Sequence, residues 1–234
     1  DAFMAAVWLG PAAVFATAGS MPDVTLLGLS TPLLEYGYAA LHSASLNRLQ
    51  LVSSLTGVFL GIATTDFSLV LAASPTAESV YAATGAGAGA LSIASGRISY
   101  VLGLHGPCLS VDTACCAALV AGHSGLRALQ LEECSTGLVC GVTLMRDPSY
   151  SQAFALAGMT SVRGRSHTWD ARADGYARGE ACGNVVLSNL SSQAALGMPG
   201  SAVRQDGRSA SLTAPNGSAQ QGLLKAAITD AGTT

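Results

Sequence analysis

Residues 111–120, VDTACCAALV, place two adjacent cysteines where a short apolar run gives way to a helical pattern. The apolar run Cys108–Val111 predicts a strand, and residues 116–130 predict a helix. Four larger side chains share one face of this predicted helix, namely Leu119, His123, Leu126 and Leu129. The first of the two cysteines, Cys115, therefore lies at a junction between a strand and a helix.

A thiol at such a junction meets the unpaired N–H groups and the positive dipole end of the helix. Both favour the thiolate over the thiol, and the same N–H groups can hold the oxyanion of an acyl-transfer intermediate. The pattern therefore predicts that Cys115 can take an acyl group from a thioester. An inert core cysteine is the alternative that these residues alone leave open, because free thiols are among the most buried side chains.

Strand-like and helix-like segments alternate on both sides of this junction, which is typical of an α/β layer architecture. A helix is predicted after Thr31 and Pro32, and a second helix opens with a capping box at residues 218–221 and ends at Gly232. Strands are predicted over Thr56–Ile62, 138–145 and 185–190, and a polar loop system over 158–183. No repeat or linker interrupts the series, so the sequence predicts one domain.

The composition favours a globular chain with a small or neutral partner. Half of the 234 residues are apolar and 11% are charged, which is enough apolar material for a sizeable core. The net charge is −3 with no long run of either sign, so no nucleic-acid partner is expected.

The cysteines predict thiols in a reducing compartment rather than a metal site or a disulfide framework. No two cysteines form a C-x-x-C pair, and no histidine lies at zinc-finger spacing from a cysteine, so no structural metal is expected. Their spacing is scattered, as in buried core thiols. The six positions are Cys108, Cys115, Cys116, Cys134, Cys140 and Cys182.

An uncharged segment over residues 2–22 is about as long as a membrane span. Gly10 and Pro11 interrupt it and no basic residues flank it, which favours a segment packed on the protein. Membrane contact through residues 2–22 and a targeting remnant are the alternatives that stay open.

The V-D-T-A-C motif, followed by a small-residue run and L-V-A-x-H, resembles the active-site segment of β-ketoacyl synthases of the modular polyketide synthase type. Further segments resemble the family in the family's order, over roughly residues 30–234. They are residues 56–61, 96–100, 105–108, 141–145, 157–160, 169–170, 173–180, 205–208 and 212–217.

This resemblance implies a fold, a nucleophile and a substrate class. The fold is a thiolase-like layered α-β-α-β-α sandwich, of which the chain holds an incomplete N-terminal half. Cys115 is the family's acyl-accepting nucleophile, whereas Cys116 replaces a family serine and is expected to pack. His123 matches a helix histidine of the family and is expected to be structural. No cofactor is bound directly, because substrates arrive on the phosphopantetheine of an acyl carrier protein.

The chain also departs from the family pattern. The family's two catalytic histidines lie in H-G-T-G-T and N-x-G-H segments, and neither segment is found here. His42, His105 and His167 all lie in other sequence contexts, so none of them is assigned those roles from the sequence. The family's opening strand and its Gly-rich continuation are also expected to be absent, because the uncharged segment 2–22 stands in their region. We therefore divide the chain into an atypical segment, residues 1–30, and a ketosynthase-like half-domain, residues 31–234.

Two functions are consistent with these observations. The first is decarboxylative condensation of acyl and malonyl thioesters, in polyketide or fatty acid synthesis, once a C-terminal half is supplied. The second is a catalytically incomplete relative that serves as a structural or scaffold subunit of a larger, membrane-associated or soluble assembly. Expected partners are an acyl carrier protein and either a second copy, as a homodimer, or a complementary C-terminal chain. The expected location is intracellular, in the cytoplasm or an organelle such as a plastid.

Overall fold

The computed structural model describes residues 3–8, 16–17, 30–63, 66, 69–70, 90–189, 197–211 and 213–232. Its strands are β1 (Phe3–Trp8), β2 (Ala16–Thr17), β3 (Thr56–Ile62), β4 (Cys108–Val111), β5 (Thr136–Thr143), β6 (Ala181–Ser188) and β7 (Gly200–Gln205). Its helices are α1 (Ser30–Ser43), α2 (Arg48–Leu51), α3 (Leu91–Leu102), α4 (Ala117–Gln130), α5 (Pro148–Leu156) and α6 (Gly217–Asp230), with a 3₁₀ turn at Ala114–Cys116.

The chain folds into two compact units. The first unit comprises residues 1–63, 90–142 and 182–234, and the second comprises residues 64–89 and 143–181. The sequence does not mark this division with a linker, because the chain passes between the units four times, after residues 63, 89, 142 and 181, within the α/β series. The division at residue 30 stays a prediction.

The first unit is built on a five-stranded sheet with the order β2-β6-β5-β3-β4. β4 and β5 both pair in parallel with β3, so that Val111 lies beside Gly61, and Gly61 beside Gly141. Every residue of β3 is buried. A continuous apolar strand of this kind is expected in a parallel sheet that is covered on both faces.

Helices cover the two faces of this sheet. Ser110 of β4 donates a hydrogen bond to Ser95 of α3, and Leu138 of β5 lies against Gly37 of α1. Because side chains alternate along a strand, the opposite face carries Phe59, which packs against α4. Helices α3 and α4, which connect these parallel strands, therefore lie on opposite faces of the sheet. The last residue of β4 lies at the carboxyl ends of the parallel strands, which is where such folds bind ligands.

The buried face of α4 differs from the prediction. It consists of small residues and one leucine, namely Ala117, Ala121, Gly122, Gly125, Ala128 and Leu129. Leu119, which the pattern placed on the core face, is 42% exposed. The reason is the close approach of α4 to the sheet, since at this spacing only residues with little or no side chain fit between the two backbones.

β1 and β7 form a separate antiparallel pair, from Phe3 beside Gln205 to Trp8 beside Gly200. The expectation that no strand opens the chain is therefore wrong for residues 3–8. Strand pairing of this kind depends on backbone groups far away in sequence, which local patterns do not reveal. Most of segment 2–22 lies outside the described residues. Within the described ranges, no helix is long and apolar enough to cross a membrane.

The predicted element boundaries hold in part. Strands β3 and β4 coincide with the predictions, whereas β5 and β6 begin two and four residues before the predicted starts. Helix α6 is capped by Asn216, whose side chain accepts the N–H groups of Ser218 and Ala219. The predicted capping box at 218–221 is therefore wrong, because the helix already begins at Gly217 and Ser218 lies inside it rather than at its N-cap.

The second unit contains α5 and a long irregular segment between Leu156 and Ala181. One isolated bridge joins Thr160 to Tyr176 in this segment. Arg163 Nε lies 3.0 Å from Asp174 Oδ2, which ties the two arms of the loop together. The polar loop system predicted for this region is found there.

Candidate active site

Cys115 occupies the middle of the 3₁₀ turn Ala114–Cys116, between the end of β4 and the start of α4. Its side chain is exposed. This is the junction position that the sequence pattern predicts, with the refinement that a single tight turn precedes the α-helix. The exposed thiol lies at the N-terminal end of α4, which is the positive end of the helix dipole.

Side chains next to Cys115 support this turn. Asp112 Oδ1 accepts the N–H of Ala114 at 3.0 Å. The buried thiol of Cys116 donates to the carbonyl oxygen and the hydroxyl of Thr113, at 3.1 Å and 3.2 Å. Ala114 adopts φ +53°, a left-handed conformation that is unusual for a residue with a Cβ. The two adjacent cysteines thus differ, since Cys115 faces solvent and Cys116 bonds within the turn.

Two glycines fix the position of the first turn of α4. A Cβ placed on Gly61 of β3 meets backbone atoms of Ala117 and Ala118 at 2.3–2.4 Å. A Cβ on Gly141 of β5 meets the Ala118 side chain at 2.8 Å. The start of α4 therefore rests directly on the sheet, and no larger residue fits at this contact.

The other thiols lie in different surroundings. Cys108 is exposed on β4, and the remaining four cysteines are buried. Burial raises the pKa of the Cys140 thiol strongly, and the neighbouring Cys182 contributes to this shift. Burial also raises the pKa of the Cys134 thiol. The accessible thiols are therefore Cys108 and Cys115, so the reactivity of Cys115 can be compared directly with that of Cys108.

The structure brings His123 to a buried serine. His123 Nδ1 lies 2.7 Å from Ser201 Oγ. Burial lowers the pKa of His123, and the Arg127 charge lowers it further, whereas Asp230 opposes the shift. Ser201 is 1% exposed, so its hydroxyl lies in the interior of the first unit. These contacts favour a structural role for His123.

A polar cluster joins α4 to β7 and α6, and sequence reasoning missed it. Arg127 lies 2.7 Å from Asp230 and donates to the carbonyl oxygen of Ser201 at 3.0 Å. Asp230 also accepts the N–H of Ser201 at 2.9 Å. These bonds lower the pKa of Asp230. No local signal predicts the cluster, because Arg127 lies 74 residues before Ser201 and still further before Asp230.

The remaining histidines have other neighbours. His42 and His105 are exposed, and His42 contacts Tyr38 on α1. His167 belongs to the second unit, where its ring lies 4.0 Å from Asp170. Among the described residues of the first unit, no hydrogen bond or ion pair joins His42 or His105 to Cys115.

Comparison with known proteins identifies the family of the chain that carries this site. Residues 29–193 match the model of the β-ketoacyl synthase N-terminal domain. The chain belongs to the β-ketoacyl synthase family. The family's model covers the whole run from α1 through β6, including the turn that carries Cys115.

The chain is also similar to short stretches of much larger synthases. Over 206 residues it is 39% identical to erythronolide synthase from Saccharopolyspora erythraea and 42% identical to a phenolphthiocerol-synthesis type I polyketide synthase from Mycobacterium bovis. Each match covers 86% of this chain, but only 6% and 10% of the two relatives.

Solved ketosynthase structures give the same fold. A ketosynthase from module 6 of the bacillaene synthase of Bacillus subtilis matches 86% of this chain with a TM-score of 0.71 and 30% identity. An oxazolomycin ketosynthase domain from Streptomyces albus matches 86% with a TM-score of 0.73 and 26% identity. The chain spans 34% and 36% of these two structures. Its fold is therefore the predicted thiolase-like α/β sandwich, represented by an N-terminal portion.

Proposed function

We propose that this chain is the nucleophile-bearing part of a ketosynthase and that Cys115 accepts the acyl group. The observation that carries the proposal is the exposed position of Cys115 on the turn between β4 and α4, in a chain of this family. The N–H groups of Cys116 and Ala117 bond within the turn, to the carbonyl oxygens of Thr113 and Ala114, so the N–H of Cys115 is the donor of this turn that is suited to an oxyanion. No feature of the described residues specifically favours the scaffold alternative.

Acyl transfer to Cys115 is a thioester exchange. The Cys115 sulfur attacks the carbonyl carbon of the incoming thioester, the bond from that carbon to the carrier's sulfur breaks, and the carrier leaves as a free thiol with the proton that Cys115 lost. We propose that the carrier is the phosphopantetheine arm of an acyl carrier protein. A reducing compartment belongs to this proposal, because a nucleophilic thiol must stay reduced.

Condensation needs groups beyond Cys115. Carbon dioxide leaves the malonyl thioester, the resulting carbanion attacks the acyl group on Cys115, and the sulfur is released together with a 3-ketoacyl thioester. The family resemblance assigns the stabilisation of this negative charge to two histidines of a C-terminal half. Positioned proton-transfer groups contribute about 10²–10⁴-fold each. We therefore expect the 234-residue chain by itself to be acylated but not to condense.

Acylation is tested by intact-mass spectrometry after incubation with an acyl-phosphopantetheine thioester. We expect one acyl adduct on the wild-type chain and on Cys108→Ala, the matched variant of the other exposed thiol, but none on Cys115→Ala. An adduct that persists on Cys115→Ala, or that disappears with Cys108→Ala, contradicts the proposal.

Condensation is tested by adding a malonyl carrier-protein thioester, with and without a chain that carries the remaining part of a ketosynthase. We expect 3-ketoacyl product only in the presence of that second chain. Product from the 234-residue chain alone, abolished by Cys115→Ala, would show that other groups supply the missing roles. Absence of acylation in every arm would support the scaffold function instead.

A further inference from the structure

The turn that carries Cys115 has unusually little room. Val111, the last residue of β4, pairs with Gly61 of β3. Only six residues later, Ala117 and Ala118 lie over the same Gly61. The chain must therefore leave the sheet and return onto it within residues 112–116, and both ends of this segment are fixed by packing.

The left-handed conformation of Ala114 makes this reversal. Its φ of +53° occurs three residues after Val111, the last residue of β4, and Ala114 is itself the first residue of the 3₁₀ turn. For a residue with a Cβ this conformation is disfavoured roughly tenfold relative to the right-handed one. Glycine adopts it freely, yet the chain has alanine here. Something other than residue preference must hold Ala114 in place.

The recorded side-chain partner of the Ala114 N–H is the carboxylate of Asp112, at 3.0 Å. An aspartate that accepts the N–H two residues ahead closes a small ring and orients the intervening peptide groups. This bond acts at the residue just before Cys115. Cys116, just after it, is held by its own bonds to Thr113.

We propose that Asp112 is a positioning residue for Cys115, because its bond to the Ala114 N–H holds the left-handed turn that exposes the thiol at the start of α4. The functional meaning of this role rests on the proposed function of Cys115. Asp112 does not touch the substrate in this proposal. Its contribution is to the geometry of the backbone on either side of the nucleophile.

The test measures how fast iodoacetamide alkylates Cys115 in the full 234-residue chain. Peptide mapping gives the rate at Cys115 relative to the rate at Cys108, which is the other exposed thiol and serves as an internal reference. Labelling of the buried Cys140 reports any loss of the fold. The readout needs no carrier protein and no turnover.

The expected result separates geometry from charge. Asp112→Ala should slow Cys115 relative to Cys108 by about fivefold or more, as for loss of a charge-assisted hydrogen bond. Asp112→Asn keeps an acceptor at the same place and should stay within about twofold of the wild type. Asp112→Gln keeps an amide but places its oxygen one bond further away, and it should behave like the alanine variant. If Asp112→Ala loses the fold, as labelling of Cys140 would show, Asp112→Gln replaces it in the comparison.

Two further variants complete the test. Adding Ala114→Gly to Asp112→Ala should restore most of the rate, because glycine adopts the left-handed conformation without help. Asp147→Ala is the matched control, since Asp147 makes the same kind of bond to the N–H of Ser149 at 2.8 Å in the second unit. It should leave Cys115 unchanged.

Equal rates for Asp112→Ala and the wild type overturn the proposal, as do equal rates for the asparagine and glutamine variants or failure of the glycine rescue. Failure of the proposed function looks different. In that case Cys115 is not acylated by thioesters, whereas the alkylation series still follows the geometry of residue 112.

Discussion

Replacing Gly61 with alanine should displace the start of α4 from the sheet. The added Cβ meets Ala118 N at 2.3 Å and the Ala117 carbonyl carbon at 2.4 Å, whereas ordinary contacts begin at 3.4 Å. Neither neighbour is a flexible side chain, so rotation cannot relieve the overlap. The backbones of β3 and α4 must move apart by about 1 Å to restore ordinary contacts.

The expected cost follows from this displacement. Overpacking of a well-packed core costs about 1–3 kcal/mol. Alanine is intrinsically better than glycine inside a regular element by roughly 0.5–1 kcal/mol, so secondary-structure preference alone predicts the opposite sign. Gly96→Ala is the matched control, because a Cβ on Gly96 in α3 meets nothing within 4 Å. This control should be neutral or slightly stabilising.

Urea unfolding of both variants measures the effect, with alkylation of Cys115 relative to Cys108 as a local readout. We expect Gly61→Ala to lower the free energy of unfolding and to change the Cys115 rate, and Gly96→Ala to do neither. If Gly61→Ala is as stable as the wild type and leaves the Cys115 rate unchanged, the close contact between β3 and α4 does not set the position of the nucleophile.

Three further predictions concern contacts that hold the first unit together. Arg127→Met and Asp230→Asn should each lower the free energy of unfolding in urea by about 1 kcal/mol. The double variant should lose less than the sum of the two, because the two side chains bind each other. Additive losses would refute the pairing. The pKa of His123 lies below its usual 6.5 because of burial and the Arg127 charge. The unfolded chain therefore binds a proton where the folded chain does not, so stability should be full above pH 6.5 and fall as the pH drops through the folded pKa. Urea midpoints measured from about pH 7.5 to pH 5.5 should show this loss, and it should be smaller in His123→Gln. Asn216→Ala should cost about 1 kcal/mol as the loss of a helix cap, whereas Ser218→Ala should cost clearly less; equal costs would restore the capping box that the sequence suggested.

The candidate site shows how far sequence patterns reach. The apolar run before Cys115 and the helical pattern after it were enough to place the thiol at a strand-to-helix turn, since both patterns are local. The sequence also contains Asp112 two residues before Ala114, but nothing in it shows that Ala114 is left-handed. That conformation follows from the pairing of Val111 with Gly61 and the return of α4 onto the same glycine.

Leu119 and Leu129 illustrate the same limit in the core. Both lie on the predicted apolar face of α4, yet Leu129 is 3% exposed and Leu119 is 42% exposed. Periodicity predicts that a helix has an apolar face, but the part of the face that is buried depends on how closely the helix approaches its sheet. Here the approach is set by Gly61 and Gly141, which lie on two different strands.

By itself the sequence determined the α/β class, strands β3 and β4, the family and the place of Cys115, because each of these depends on residues that are neighbours in the chain. Only the tertiary structure decided the face that α4 buries, the Asn216 cap, the pairing of β1 with β7 and the cluster of Arg127 with Asp230. These features depend on distances between groups remote in sequence. Such distances are fixed only when close packing brings backbones from different elements into contact.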